Sequence, residues 1–517
     1  MDAADFDGAY VARNLRQPVL FAQGVATLLD EGAGVLIEIS AHPVLMHDLN
    51  AAIAEARAPA TAIASLGRDR GGWADLLANV AHAWTAGCPL RWDAVSPAAP
   101  WVDLPAYPWE GEALWLDPII PQVSARDELP LLGMDWEDTP LDPAATLAAK
   151  RLPAVATAVI GVDGAERQAV EDALRAQGDT VAAPEDAERL IVASFASADP
   201  LEGGLFALDR LLRAERTPPR MVVLTRQQPG AVMLRPEDAA LAAFARVAAA
   251  ERPELSLRCI HVDGVTAETA GAIALEARME DGPALVALVG GKRQVERLAP
   301  LPPRPAEPLD FTRPGVHVVT GGTSGIGLES AALLVRRGAR DIALISRTGL
   351  DAANPLLAEM ERAGARVRHY AADMADADAV AAALAAIRAQ QGPVRGVIHA
   401  AGTSGNALIA DSDRAAMEAV LAPKLRGALA LANLTAADQP DYLLFHSSIA
   451  ALFRSTSQAT YAAANAGVDA LARTLAAEGR RAVSVAWPIW RQTGRAAREG
   501  FTPDTAFLAL DTAEGIA

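Results

Sequence analysis

The sequence is poor in the residues and runs that mark secreted, disulfide-bonded or membrane-spanning proteins. It has only two cysteines, Cys88 and Cys259, which lie far apart and form neither a disulfide framework nor a metal-binding cluster. No segment reaches the run of about 18 apolar residues that a membrane span requires. The first residues, MDAADFDGAYVARNLRQ, are acidic and lack the apolar core of a secretory signal. These absences predict a cytoplasmic protein in a reducing compartment.

Basic residues are also fewer than acidic residues. The 517-residue chain has 46 Lys and Arg against 64 Asp and Glu, which gives a formal net charge of −18. This balance argues against general nucleic-acid binding and against binding to an anionic membrane surface, and solubility is its simplest explanation. At roughly 100–200 residues per domain, the length predicts about three domains.

Changes of pattern divide the chain into four regions. Residues 1–66 alternate short strand-like and helical runs. Residues 67–118 contain one amphipathic helix, WADLLANVAHAWTAG, and then the Pro- and Trp-rich run PAAPWVDLPAYPWEGEALWLDP, which is typical of a linker that packs onto its neighbours. Residues 119–310 and 311–517 each alternate apolar strand-like runs with helical ones, which predicts parallel sheets covered by helices. The Ala-rich helices keep an apolar periodicity, so we expect ordinary packed helices.

The predicted strands of the last two regions are similar in number, but only the fourth region contains motifs that indicate cofactor binding or catalysis. In the third region the strand-like runs are TAVIGV, RLIVASF, RMVVLTR, LSLRCIHVDG and PALVALVGG. In the fourth they are GVHVVTGG, RDIALISR, ARVRHYAAD, VRGVIHAAG, DYLLFHSS and AVSVAWP.

A glycine-rich turn opens the fourth region. Glycines between a strand and a helix let the backbone turn tightly and bring helix N–H groups against a pyrophosphate. Such turns are common, but here the strand before and the amphipathic helix after are both present, which favours a dinucleotide site. The candidate residues are Thr320, Gly321, Gly322, Thr323, Ser324, Gly325, Ile326 and Gly327.

The ends of the next strands bear on the choice of nucleotide. NAD enzymes usually place an acidic residue after the second strand, whereas this strand ends in Ser346 and Arg347, and an arginine can pair with a 2′-phosphate. This favours NADPH; the alternative is a solvent-facing loop arginine. Asp373 can accept from the adenine amino group or cap the following helix. Small residues after strand VRGVIH allow close approach to the cofactor. The further candidates are Met374, Ala400, Ala401 and Gly402.

A serine and a tyrosine in the last region suit the reduction of a ketone. Ser448 can polarise the carbonyl oxygen and Tyr461 can give it a proton. A phenol needs a nearby cation to act as an acid at neutral pH, and Asn465, one helical turn after the tyrosine, carries no charge. The candidate cation is Lys424 in the helix DRAAMEAVLAPKLRGALALANL. A lysine in such a stretch is more often a surface residue whose stem covers apolar neighbours.

These motifs resemble the ketoreductase domain of a modular polyketide synthase. The resemblance rests on TGGTSGIG, ISRTG, VIHAAG, LAPKLRGAL, the SS of FHSSIA and YAAANAG. In that family the lysine comes from the upstream helix and an asparagine follows the tyrosine, which implies a catalytic tetrad of Lys424, Ser448, Tyr461 and Asn465. It also implies NADPH-dependent reduction of a β-ketoacyl thioester held by the phosphopantetheine of an acyl-carrier protein. The implied fold is α/β, with two tandem Rossmann-like units of short-chain reductase type, a structural, cofactor-free one (119–310) and a catalytic one (311–517).

The first two regions resemble the segment that precedes such a domain. YVARNLRQPVLFAQGV and LIEISAHPVL are similar to the C-terminal part of an acyltransferase domain, and VDLPAYPW is similar to the linker after it. The GHSxG motif and later histidine motif of an acyltransferase are absent, so His42 is expected to be structural. Pro488 stands where the family usually has glycine, and the chain ends at Ala517, before the expected last strand. We therefore expect a piece of a larger synthase that has neighbouring synthase domains as partners.

Loop residues bear on the configuration of the product. The Leu-Asp-Asp motif of one class of these reductases is absent after HAAG. Phe453 stands where the opposite class usually has tryptophan, and Ala463 stands where the first class has proline. The resemblance therefore favours an L-hydroxyacyl product; alternatively, Phe453 is plain core packing.

Two other functions stay open at this point. One is a non-catalytic scaffold fragment of a synthase. The other is a free-standing short-chain alcohol dehydrogenase, although such an enzyme has no use for an acyltransferase-like start or for a second, inert copy of the fold.

Overall fold

The computed structural model describes residues 8–67, 72–92, 131–195, 197, 199–214, 217–227, 234–279, 283–301, 308–498 and 509–516. The chain divides into two units, residues 1–124 and 125–517. Among the described residues, the first unit contains a two-stranded sheet and the second contains two larger sheets. The Pro- and Trp-rich run predicted to be a linker, residues 97–118, lies outside the described residues.

The first unit is a small α/β assembly. Its helices α1–α4 span Gly8–Asn14, Phe21–Asp30, Met46–Ala56 and Trp73–Thr85, and its parallel strands β1 and β2 span Val35–Glu38 and Thr61–Ala64. Helix α2 buries Val25 and Leu29, one turn apart, in the small core of this unit. Glu38 accepts hydrogen bonds from two main-chain N–H groups (2.8 and 3.0 Å) and so orders the loop that carries His42.

The first sheet of the second unit has eight described strands. Strands β3–β10 span Leu132–Asp138, Ala156–Ile160, Thr180–Val181, Arg189–Ala193, Arg220–Arg226, Ser256–Val262, Leu285–Val289 and Lys292–Pro300. Helices α5–α9 span Pro143–Arg151, Gly164–Ala176, Phe206–Leu212, Pro236–Glu251 and Ala267–Arg278. The strand order is β3-β10-β9-β8-β7-β6-β4-β5. Because alternate residues of the buried strands face α7 and α8 on one side and α6 and α9 on the other, these strands are mostly apolar, with a few buried polar residues such as Arg189 and His261.

Three strands of this sheet, β3, β5 and β10, were not predicted from the sequence. Strand β10 is antiparallel to both β3 and β9, so the sheet is mixed and not purely parallel. Strands β3 and β10 are rich in charged residues and largely exposed, so they lack the apolar run that marks a buried strand. Strand β9 turns into β10 at Gly290 and Gly291, whose φ angles of 58° and 72° suit a two-residue hairpin.

The second sheet has six parallel strands in the described residues. Strands β11–β16 span Val316–Thr320, Asp341–Ser346, Arg366–Ala371, Val394–His399, Tyr442–Ser448 and Ala482–Trp487. Helices α10–α17 span Gly325–Arg336, Pro355–Arg362, Ala377–Gln391, Arg414–Leu421, Gly427–Leu434, Ala459–Ala477, Arg495–Arg498 and Thr512–Ile516. The strand order β13-β12-β11-β14-β15-β16 reverses between β11 and β14, which opens a crevice at the carboxyl ends of these strands.

The two sheets share a core through helices α8 and α15. These helices pack on each other, and their alanines are buried on nearly every side. Small side chains let the two backbones come close, so the Ala-rich segments are packed helices, as predicted. In the part of the chain that the structure describes, none of the helices has both the length and the apolar character needed to cross a membrane.

Candidate active site

The turn between β11 and α10 has the backbone shape of a phosphate-binding loop. Gly321 and Gly325 have φ angles of 63° and 58°, in the left-handed region that other residues disfavour. A Cβ on Gly327 would lie 2.4 Å from the Gly321 carbonyl oxygen, so glycine is needed where α10 approaches the strand. The N-terminus of α10, with its unpaired N–H groups and positive dipole end, lies at the reversal of strand order. These residues fit a dinucleotide.

Two contacts hold the outer part of this loop. The Thr323 hydroxyl donates to Ser346 Oγ (3.1 Å) and ties the loop to the end of β12. Ser324 is exposed, and its Oγ accepts from Arg498 Nη1 (3.4 Å). The sequence reasoning missed Arg498, which places a guanidinium beside the start of α10. It lies 174 residues from Ser324, so no local motif marks it.

Arg347 and Asp373 lie together beyond the ends of β12 and β13. The Arg347 side chain is 67% exposed, and its Nη1 is 3.9 Å from Asp373 Oδ2. The alternative prediction that Asp373 caps α12 is wrong. The cap is Asp376, whose Oδ1 accepts from two N–H groups in the first turn (3.0 Å each), while Asp373 accepts from the N–H of Ala375 (2.9 Å). The Met374 side chain lies in the hydrophobic core, which leaves its main chain for contact with a nucleotide.

His399 links the end of β11, just before the glycine-rich turn, to the helical segment that carries Lys424. It is fully buried at the end of β14. Its Nε2 lies 2.9 Å from the Lys424 carbonyl oxygen, to which it donates, and its Nδ1 lies 2.8 Å from Thr320 Oγ1. Thr320 Oγ1 also accepts from the N–H of Ala401 (3.4 Å), and the Ala400 N–H donates to the Thr320 carbonyl oxygen (3.1 Å). Sequence reasoning gave His399 no role, although a histidine within the apolar strand VRGVIH was a usable signal.

Lys424 is buried, so the alternative of a surface lysine is excluded. Helices α13 and α14 run into each other through a π-helical turn, Ala422–Arg426. Pro423 within this turn has no N–H for the α-helical ladder, and π turns of this kind are frequent at functional sites. Lys424 is only 6% exposed, and a Cβ on Gly402 would lie 3.1 Å from its Cδ and 3.6 Å from its Nζ. The ammonium group therefore lies beside the carboxyl end of β14.

Ser448, Tyr461 and Asn465 stand at the carboxyl edge of the same sheet. Ser448 ends β15, and its Oγ accepts from the Ala450 N–H (3.2 Å), which leaves its own hydrogen to donate. Tyr461 lies half-buried in the first turn of α15. Asn465 is fully buried; its Nδ2 donates to the Tyr461 carbonyl oxygen (2.8 Å), whereas its Oδ1 has no partner among the described residues. A buried acceptor of this kind suits a water or a ligand.

Burial and the Lys424 ammonium group shift the pKa values of the ionisable side chains near these residues. Burial, and then the nearby Lys424 ammonium, lower the pKa values of His399 and His446 to about 3, so both rings are neutral at physiological pH. Burial raises the pKa of the Asp469 carboxyl, which accepts from Ser484 Oγ (2.5 Å). Across the described ranges, no three His, Cys, Asp or Glu side chains are placed to hold a metal ion.

The parallel sheet has a phosphate-binding turn where its strand order reverses. A serine, a tyrosine and a buried lysine lie at one edge of the same sheet. Together these features define a dinucleotide-dependent reductase of the short-chain type. Comparison with known proteins gives the family. Residues 315–492 match the KR domain model, and residues 1–89 match the acyl transferase domain model. The chain carries a ketoreductase region similar to those of modular polyketide synthases, of a class that uses NADH or NADPH, after an acyl transferase segment. The predicted family and Rossmann-like fold are confirmed.

The similar proteins are much longer than this chain. The pikromycin polyketide synthase component PikAIII of Streptomyces venezuelae is 32% identical over 554 residues, which cover 98% of this chain and 33% of that protein. Erythronolide synthase EryA3 of Saccharopolyspora erythraea is 33% identical over 549 residues, or 98% of this chain and 16% of that protein. The chain thus spans a third or less of these relatives. A solved A-type ketoreductase structure from a modular polyketide synthase is 29% identical, with a TM-score of 0.63 over 74% of this chain and 89% of that one.

Proposed function

We propose that the ketoreductase region reduces a β-ketoacyl thioester to the β-hydroxyacyl thioester, with NADPH as reductant and an acyl-carrier protein as carrier of the substrate. The observation that carries this proposal is the burial of Lys424 beside Gly402. It puts a cation at the edge of the sheet where Ser448 and Tyr461 stand. Neighbouring synthase domains are proposed as further partners, because the related proteins are long polyketide synthases.

Each residue of the tetrad has a distinct role in this reaction. A bound nicotinamide supplies the hydride that reduces the β-carbon. Ser448 donates a hydrogen bond to the β-carbonyl oxygen and polarises the carbonyl. As the carbonyl π electrons move onto that oxygen, it takes the proton of Tyr461, and the thioester bond stays intact. The Lys424 ammonium stabilises the phenolate that results, and Asn465 Oδ1 holds the water through which Tyr461 regains its proton.

Turnover and binding together test the proposed function. The purified chain, mixed with NADPH and a β-ketoacyl thioester, should consume NADPH and yield a thioester heavier by two hydrogen atoms, as read by absorbance and mass spectrometry. An NADPH titration followed by fluorescence separates this function from that of a scaffold fragment. A folded chain that binds no NADPH would support the scaffold and contradict the enzyme.

The first sheet of the second unit is proposed to bind no nucleotide. An ion pair lies at the start of α6. Glu166 lies in the first turn of α6 and pairs with Arg226 at the end of β7 (2.5 Å), and Arg226 stacks over the Phe195 ring (4.2 Å). A carboxylate in the first turn of a helix disfavours a phosphate at the same helix N-terminus, because the two carry like charge. This supports a structural role for residues 119–310 and a catalytic one for residues 311–517.

Arg347 provides a test of the preference for NADPH. We expect Arg347→Glu to weaken NADPH binding about ten- to a hundredfold, because a charge-assisted contact with the 2′-phosphate is worth roughly 1.5–3 kcal/mol. NADH binding should change little. The dissociation constants of both nucleotides would be measured by fluorescence titration. Arg362→Glu, the same charge change at an exposed residue of α11, is the matched control. Equal weakening of both nucleotides would make Arg347 an ordinary loop residue.

The product is proposed to have the L configuration. Phe453 lies in the stretch of chain between Ser448 and Tyr461, where a flat apolar side chain can guide the substrate. Chiral chromatography of the alcohol formed from a β-ketoacyl thioester should therefore show predominantly the L form, and Phe453→Trp should preserve it. A predominantly D product would show that Phe453 serves only for packing.

A further inference from the structure

Glu251 connects the first sheet's helix layer to two loops of the second sheet. It is the last residue of α8 and is half-buried. Its Oε1 accepts from the Ser457 N–H (2.8 Å), and its Oε2 accepts from the Ile409 N–H (2.7 Å). The two donors lie 206 and 158 residues away along the chain. One carboxylate therefore fastens two separate loops.

Both loops adjoin the proposed catalytic residues. The first, residues 449–458, joins Ser448 to the helix of Tyr461. The second, residues 403–412, follows Gly402 and contains the 3₁₀ turn Ile409–Asp411. The loops are also joined to each other, because the Ala407 N–H donates to the Ser457 carbonyl oxygen (2.9 Å). A carbonyl held by Ser448 and Tyr461, as proposed above, would therefore lie beside these loops.

The backbone of the first loop is held in an unfavourable conformation at the point of contact. Ser457 has a φ of 62°, in the left-handed region that costs a residue with a side chain about 1 kcal/mol or more. Hydrogen bonds from an N–H to a charged carboxylate are stronger than those to a neutral acceptor, so Glu251 offsets this cost. A second contact from α8 supports the same role: Arg246 donates to the Ala451 carbonyl oxygen (2.8 Å).

We infer that Glu251 is a positioning residue that sets the spacing of the two loops and, through them, the orientation of the substrate. The effect on catalysis rests on the proposed function, whereas the fastening of the loops does not. The first sheet, which has no proposed catalytic group, thereby contributes to substrate binding and to the configuration of the product.

The variant Glu251→Gln tests the inference with little change of shape. Its amide can accept one N–H but presents its own NH₂ to the other, so one hydrogen bond is lost. We expect the amide hydrogens of the two loops, residues 403–412 and 449–458, to exchange about tenfold faster in hydrogen-exchange mass spectrometry. The KM for the thioester should rise several-fold and the ratio of the two alcohol configurations should fall. The dissociation constant of NADPH should stay unchanged. Glu254→Gln, an exposed carboxylate just beyond the same helix, is the matched control.

The outcomes separate the inference from the proposed function. Unchanged hydrogen exchange in the two loops would contradict the inference that Glu251 holds them in place. Faster exchange with an unchanged KM and an unchanged product configuration would contradict the inferred effect on substrate orientation. A wild-type chain that binds NADPH but reduces no β-ketoacyl thioester contradicts the proposed function, and the exchange data still show whether Glu251 holds the two loops.

If Glu251→Gln does not fold, Ile409→Pro makes the same test. It removes one donor at the first residue of a 3₁₀ turn, where proline is tolerated, and Ile409→Val is its packing control.

Discussion

Replacing Tyr461 by phenylalanine is expected to lower kcat about 10²–10⁴-fold, because the variant keeps the ring but loses the hydroxyl that we propose as the proton donor. The ring packs against the core that α8 and α15 share, so the fold should be unaffected. NADPH binding should also persist, since the tyrosine hydroxyl belongs to the reaction and not to the phosphate-binding turn. Steady-state kinetics with a β-ketoacyl thioester and NADPH measure the effect.

A second tyrosine provides the control for this variant. Tyr370 lies in β13, is buried, and donates to Gln391 Oε1 (2.9 Å). Tyr370→Phe removes a hydroxyl from the same unit at a cost of about 1 kcal/mol in stability and should keep full turnover. Normal turnover by Tyr461→Phe would show that another group donates the proton.

Replacing Lys424 by methionine is expected to lower kcat about 10²–10³-fold, the usual effect of removing one preorganised charge from a reaction site. Methionine keeps an unbranched apolar stem in the space beside Gly402, so the change is mainly one of charge. The loss should fall on kcat more than on the KM of the thioester, because the ammonium is proposed to stabilise the phenolate that forms during the reaction. Stopped-flow measurement of a single turnover would separate this step from product release.

The matching charge change elsewhere in the chain should have no such effect. Lys292 is exposed in the first sheet of the second unit and pairs with Asp138 (2.6 Å). Lys292→Met removes the same charge from a position that does not adjoin the second sheet's carboxyl edge. Equal activity of the Lys424→Met variant and wild type would mean that a different cation serves Tyr461, or that none is needed.

The buried strands of the second unit were predictable because burial on both faces leaves a local signature. Each is a short run of apolar residues between turn residues, so TAVIGV or VRGVIH can be recognised without knowing its neighbours. Strands β3 and β10 carry charged residues on their exposed faces. They are strands because their main chains pair with each other, which the local sequence does not show. The cap of α12 shows a similar limit. Asp373 and Asp376 both precede the helix, and only the backbone geometry shows that Asp376 accepts from its first N–H groups.

Local sequence was sufficient to predict the tandem α/β organisation and the glycine-rich turn after β11, and to propose the serine and tyrosine as catalytic residues, because each of these features depends on residues close together in the chain. Tertiary structure was needed to bury Lys424 beside Gly402, to place His399 between Thr320 and Lys424, and to bring Glu251 to two distant loops. These contacts join residues 22 to 206 positions apart, and their energies depend on burial and hydrogen bonding that no single segment encodes. Lys424 is the clearest case. From the sequence alone, a lysine in an apolar helix is expected at the surface, but packing beside Gly402, just after β14, buries its ammonium group.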